Sequence, residues 1–171
     1  GAVMIEIGNF DSFYSQDRFF DAAEVLDITR RTRKLLPEIF LSVTVPHLLP
    51  LDQQVNLALA LKGEGVNLIQ TEGGTSSSPN SPGTLGLIEK ATPTLAAAHS
   101  ISHGLMRAGC QLPVLCASGL SEVTAPMAIA AGASGVGVGS AINRLTSELE
   151  MIAMVQRLRE AIDSLNFVYS K

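Results

Sequence analysis

Five short apolar runs rich in β-forming residues alternate with longer helical patterns along the chain. The runs are Val3–Gly8, Phe40–Val45, Asn67–Glu72, Pro113–Ser118 and Gly135–Ser140. Between the first two, Asp21-Ala22-Ala23-Glu24 resembles a capping box that opens a helix. The apolar stripe of that helix is Val25, Ile28, Thr32 and Leu35, and Pro37 stops it. A second helix is predicted over Leu51–Glu64, with Val55, Ala58, Leu59 and Leu61 apolar. A loop at Gly73–Pro82 leads to a short helical segment around Leu85–Lys90, and a separate helix follows over Pro93–Ala108. A short helix is expected over Thr124–Ala131. A long one is expected over Thr146–Leu165, with Leu149, Ile152, Val155, Leu158 and Ile162 on one face.

Strict β-α alternation implies parallel strands joined by crossovers. Two architectures fit: a doubly wound, flavodoxin-like sheet, or five of the eight strands of a (β/α)8 barrel, a TIM-type fold that takes about 250 residues. Strand polarity favours the barrel. Ser42 and Thr44 share one face while Leu41, Val43 and Val45 share the other, and Gln70 and Glu72 oppose Ile69. A polar face near strand C-termini suits a barrel mouth, whereas a doubly wound sheet is apolar on both sides. The whole 1–171 stretch is expected to be one α/β unit, a barrel truncated to its last five βα units with three N-terminal units missing. Open sheet edges would then give poor stability or a homo-oligomer.

Composition narrows the function. The chain is 46% hydrophobic and 16% charged, enough for a packed core. A net charge of −4 gives no footprint for nucleic acid. No apolar stretch is long enough to suggest a membrane span. Arg30, Arg31, Arg33 and Lys34 fall late in a predicted helix, where cations suit the dipole. Two Cys without metal spacing suggest a reducing compartment, with Cys116 a buried small hydrophobe.

The strongest chemical signal lies near the end. Ser118-Gly119 closes one strand run and Gly139-Ser140 the next. In (β/α)8 barrels the loops after the last two strands often hold phosphate, using converging N–H groups with no Cβ in the way. Ser118, Gly119, Gly139 and Ser140 are therefore the phosphate-binding candidates, and Arg144 could pair with an anion. The same glycines would also serve close helix packing. The catalytic candidates are Glu6, Thr44, Gln70 and Glu72, all on polar strand-end positions. Each carboxylate has a plain alternative: Glu72 pinning the following loop, and Glu6 sitting in a structural network with Thr44 and Gln70. Asn9 and Asp11 read as turn caps, and His47 as a strand-end loop residue with some claim to proton transfer. His99 and His103, at i and i+4 without a third ligand, argue for surface positions and no metal. None of the four Lys stands at a predicted strand end.

The blocks Met4–Tyr14, Leu41–His47, Gln70–Ser77, Val114–Ser121, Thr124–Ala133 and Gly135–Arg144 resemble the hypothetical chloroplast reading frame family number twenty-three of the ycf series. The resemblance spans essentially the whole chain. It implies a plastid or cyanobacterial protein, located in chloroplast or cyanobacterial cytoplasm, with an aldolase-type barrel lengthened at the N-terminus by about three βα units. It implies no particular reaction. Pro113–Leu120 and Gly132–Ala141 are also similar to the way flavin mononucleotide (FMN) barrels hold their phosphate, which makes FMN the cofactor candidate. The function expected is binding of a phosphorylated small molecule, as a lyase, isomerase, synthase or flavin oxidoreductase. A non-catalytic regulator is the alternative.

Overall fold

The computed structural model describes residues 1–169, which leaves Ser170 and Lys171 of the expected unit outside the described residues. Five strands, β1 (Met4–Ile7), β2 (Phe40–Thr44), β3 (Leu68–Gln70), β4 (Val114–Ala117) and β5 (Gly135–Gly137), form one sheet. All neighbours pair parallel, in the order β1-β2-β3-β4-β5. The helices α1 (Ala22–Leu35), α2 (Leu51–Gly63), α3 (Gly83–Arg107) and α4 (Ala125–Ala130) follow successive strands. The four-residue α5 (Ser140–Asn143) and the long α6 (Glu148–Tyr169) close the described chain.

This strand order removes the doubly wound alternative. A flavodoxin-type sheet reverses direction at a switch point and places helices on both faces. Here every crossover steps the same way, and one face takes the helices. Leu41, Val43, Ile69 and Val114 from the strands, with Val45 just past β2, bury against Val25 of α1, Leu57 and Leu61 of α2, and Ile101 and Leu105 of α3. The alternate positions point the other way. Glu6 stands beside Ser42, and Thr44 beside Gln70, so a polar row crosses the concave face. The chain is thus an α/β unit of barrel type, with five of its strands described.

The capping box forms as the sequence predicts. The Glu24 N–H donates to Asp21 Oδ1 at 2.8 Å, and the Asp21 N–H to Glu24 Oε2 at 3.0 Å. Three expectations need correction. The two helical segments expected before and after residue 92 are one helix, with Pro93 inside it. Proline removes the bond to the carbonyl four residues back, and here that carbonyl, Glu89 O, accepts from the Ser77 hydroxyl at 3.5 Å instead. On α1 the fully buried positions are Val25 and Thr29, and Leu35 is exposed, because the helix lies on the sheet through its first two turns. On α6 only Leu158 of the expected stripe is fully buried. The helix packs on α4 and α5, and Leu149, Ile152 and Val155 are exposed.

A buried hydroxyl tie joins α3 to the strand ends. Thr94 donates to the Ala117 carbonyl and shares a hydrogen bond with Thr71 Oγ1, which in turn accepts from the Ala117 N–H at 3.2 Å. It fixes the ends of β3 and β4 relative to one another, where the site begins.

Candidate functional site

All eight candidate residues meet at one cavity of about 410 Å³ beyond the C-terminal strand ends. Glu6, Thr44, Gln70 and Glu72 line one side. Ser118, Gly119, Gly139 and Ser140 line the other, with Asn9, Asp11 and Thr75 between. In α/β proteins this is the end of the sheet that binds ligands. A second cleft of about 490 Å³ lies at the opposite end, around Cys110, Pro113 and Ser134, and its lining holds no carboxylate or base.

Glu6 projects onto the concave face, where its Oε1 accepts from Gln70 Nε2 at 2.7 Å and from Thr44 Oγ1 at 3.4 Å. The carboxylate is exposed in the cavity and so stays solvated on one side. Thr44 is buried and serves to aim it.

Glu72 sits one residue past Thr71, just beyond β3, and is buried. Oε1 accepts from the Tyr14 hydroxyl at 2.6 Å, from the His47 N–H at 3.2 Å, and lies 3.3 Å from His47 Nδ1. Oε2 accepts from the Asp11 N–H at 3.1 Å. These donors satisfy the buried carboxylate and tie three loops to it. Burial and the Glu72 charge push the Tyr14 phenol far up, so it remains a proton donor in this network. Asp11, expected only to cap a turn, is buried beside Glu72. Burial first, and the Glu72 charge second, raise its carboxyl above the usual range. Its Oδ2 is buried without a partner.

The other side of the cavity is mostly backbone. Ser118 adopts a left-handed φ of 76°, unusual for a non-glycine residue, and Gly119 follows at 75°. The Ser118 hydroxyl accepts from the Thr75 N–H at 3.1 Å. Gly119 touches Gly74 backbone to backbone: a Cβ on Gly74 would lie 2.4 Å from Gly119 Cα. Gly139 differs, since a Cβ there would meet nothing within 4 Å. Its bare position opens on the cavity, and Ser140 begins α5 beside it. Arg144 ends α5 and does not line the cavity.

Several participants gave little sign in the sequence. Tyr14 lies in an irregular aromatic stretch, in a 3-10 turn with no periodic pattern. Ser76 Oγ lies 2.9 Å from His47 Nε2, a contact between loops 29 residues apart. Lys90, on α3 rather than at a strand end, passes beside Gly119. The rings of His99 and His103 are in tilted contact, centroids 4.1 Å apart, on α3, away from these loops in the chain. No described helix is long and apolar enough to cross a membrane.

Comparison with known proteins agrees with this architecture. The chain is 39% identical over 164 residues to the uncharacterized protein ycf23 of Porphyra purpurea, covering 96% of this chain and 60% of the relative. It is 40% identical over 163 residues to the ycf23 protein of Cyanophora paradoxa, covering 95% and 65%. The chain thus spans under two thirds of these relatives. Among solved structures, it is similar to a thiamine phosphate pyrophosphorylase from Pyrococcus furiosus, with a TM-score of 0.53, 15% identity, and 96% and 84% coverage. It is also similar to the YdjI aldolase of Escherichia coli K12, with a TM-score of 0.52, 12% identity, and 97% and 59% coverage. At such identities the likeness shows the fold alone, that of aldolase-type barrels. The model of the family described as protein of unknown function (DUF561) matches residues 1–168, and the chain belongs to that family.

Proposed function

We propose that the protein binds a phosphorylated small molecule in the cavity at the strand C-termini, and that it acts there as an enzyme of small-molecule metabolism in a plastid or in cyanobacterial cytoplasm. The observation that carries this reading is the convergence of a bare glycine turn and a carboxylate on one cavity of about 410 Å³. Gly119, Gly139, Ser118 and Ser140 would hold the phosphate through N–H and hydroxyl donors. The open space at Gly139 leaves room for phosphate oxygens to approach the backbone. Glu6 would then face the reactive end, held by Thr44 and Gln70, as a general acid or base. Glu72 would act through the Tyr14, His47 and Asp11 groups that it orients.

Within this reading the ligand is a sugar phosphate or related metabolite for a lyase, isomerase or synthase, or else FMN. A second reading, a metabolite-binding regulator without catalysis, draws support from the saturation of Glu72 by protein donors. Native purification, visible absorbance and mass spectrometry of any co-purifying compound separate them. A yellow protein releasing FMN makes it a flavoprotein. A colourless protein releasing a sugar phosphate favours the lyase or isomerase. An empty protein with no affinity for inorganic phosphate in calorimetry overturns the phosphate reading.

A further inference from the structure

One arrangement beside the cavity has no part in phosphate binding. Ser76, His47 and Glu72 form a hydrogen-bonded line from solvent to interior. Ser76 Oγ lies 2.9 Å from His47 Nε2, and His47 Nδ1 lies 3.3 Å from Glu72 Oε1. Exposure falls along it: Ser76 is exposed, the His47 side chain is 11% exposed and the Glu72 side chain 5%. The imidazole is fixed on two sides. The Tyr14 ring stands 5.4 Å away, centroid to centroid, and the bare Cα of Gly73 lets the ring pack against the β3–α3 loop. A carboxylate only accepts, so beside Glu72 the neutral ring carries its proton on Nδ1 and turns the Nε2 lone pair toward Ser76. Nucleophile, base and orienting carboxylate are therefore in sequence, each within reach of the next. The serine's other acceptor, the Gly73 carbonyl, is farther away at 3.3 Å.

We propose that Ser76 is a base-activated nucleophile, with His47 as general base and Glu72 as the residue that positions it, acting on an ester or thioester. Ser76 Oγ attacks the acyl carbon as its proton passes to His47 Nε2. The carbon–oxygen or carbon–sulfur bond to the leaving group then breaks, and the leaving group takes that proton from Nε2. Water, deprotonated by His47, cleaves the acyl-serine and regenerates the hydroxyl. No oxidant or metal enters the balance. Ser77 and Ser78, the next two residues, provide an internal control, since neither has an imidazole partner among the described residues. The proposal shares Glu72 with the site above, but its nucleophile and base, Ser76 and His47, do not line that cavity.

The test is labelling of the native chain with a fluorophosphonate probe, which an activated serine displaces at phosphorus with loss of fluoride. Peptide mass spectrometry then locates the adduct. The expected result is an adduct on Ser76, absent from Ser77 and Ser78 and lost in Ser76→Ala. In His47→Gln its formation slows about 100-fold or more, the contribution of a general base. Ser76→Ala should keep the affinity for inorganic phosphate, so the two readings fail separately. No adduct on the native chain, equal labelling of Ser76 and Ser78, or undiminished labelling in His47→Gln overturns the proposal. Should His47→Gln not fold, as judged by circular dichroism, the ratio of Ser76 to Ser78 labelling in the native chain decides.

Discussion

The half of the molecule built on β1 to β3 and the half built on β4 and β5 are packed from different materials. The first buries branched and long side chains, Leu41, Val43, Leu57, Leu61, Ile69, Ile101 and Leu105 among them, in one continuous core. The second buries Ala91, Ala98, Ala128, Ala133, Cys116 and Leu120. Small side chains bring helices close to the strands but remove little apolar area from water. The large core holds the unit together, and the thin one carries the glycine turns Ser118-Gly119 and Gly139-Ser140. Sites that bind small anions through backbone are suited to such close, lightly filled packing, while their local stability is low.

Truncation in the two cores should separate them most clearly. Leu61→Ala empties a fully buried position and should lower stability by about 2–5 kcal/mol. Cys116→Ala, equally buried, should lower it by about 1 kcal/mol. Equal midpoint shifts in urea would erase the distinction.

Gly74→Ala tests the junction of the halves. The new Cβ would fall on Gly119 backbone, so one loop must move, at about 1–3 kcal/mol, and phosphate affinity should fall with it. Retained affinity by calorimetry would mean that the two loops are not held together.

Asp11→Asn sharpens the electrostatic side. The folded-state pKa of Asp11 is raised, so between its unfolded value and the raised one the native state binds more protons than the unfolded chain. Stability therefore falls as pH rises through that window, and the penalty is fully present above it. The asparagine variant lacks this penalty, so its melting temperature relative to wild type should be higher at pH 7 than at pH 4. The same difference at both values would refute the assignment.

Gly139→Ala should have the smallest effect on folding, within about 0.5 kcal/mol, because nothing surrounds the new methyl. Phosphate affinity should nonetheless drop about tenfold, equivalent to 1.4 kcal/mol. An unchanged dissociation constant would remove Gly139 from the phosphate site.

Much of the fold was legible because it depends on local patterns. Ser42 and Thr44 alternating with Leu41 and Val43 placed the polar face of β2, and the Asp21 box placed the start of α1. The convergence of Glu6, Gln70 and Ser118 followed from strand-end positions alone. The continuity of α3 through Pro93 was not legible, because the group that replaces its lost hydrogen bond, Ser77, belongs to the preceding loop. The Tyr14, His47 and Ser76 contacts with one another and Glu72 were hidden for the same reason: they join residues 25 to 58 positions apart in loops without period. The exposed face of α6 shows that a stripe marks an apolar surface without saying what packs on it.

The contact of Gly74 with Gly119, reinforced by the Thr75 N–H on the Ser118 hydroxyl, also has a kinetic meaning. Neither loop can swing away from the strand ends without carrying or breaking from the other. Amide hydrogen exchange should therefore find Thr75 and Gly119 opening together, with one shared rate rather than two. A ligand that clamps one turn would slow solvent access to both, and the serines of the β3–α3 loop would register the filling of a cavity they do not line.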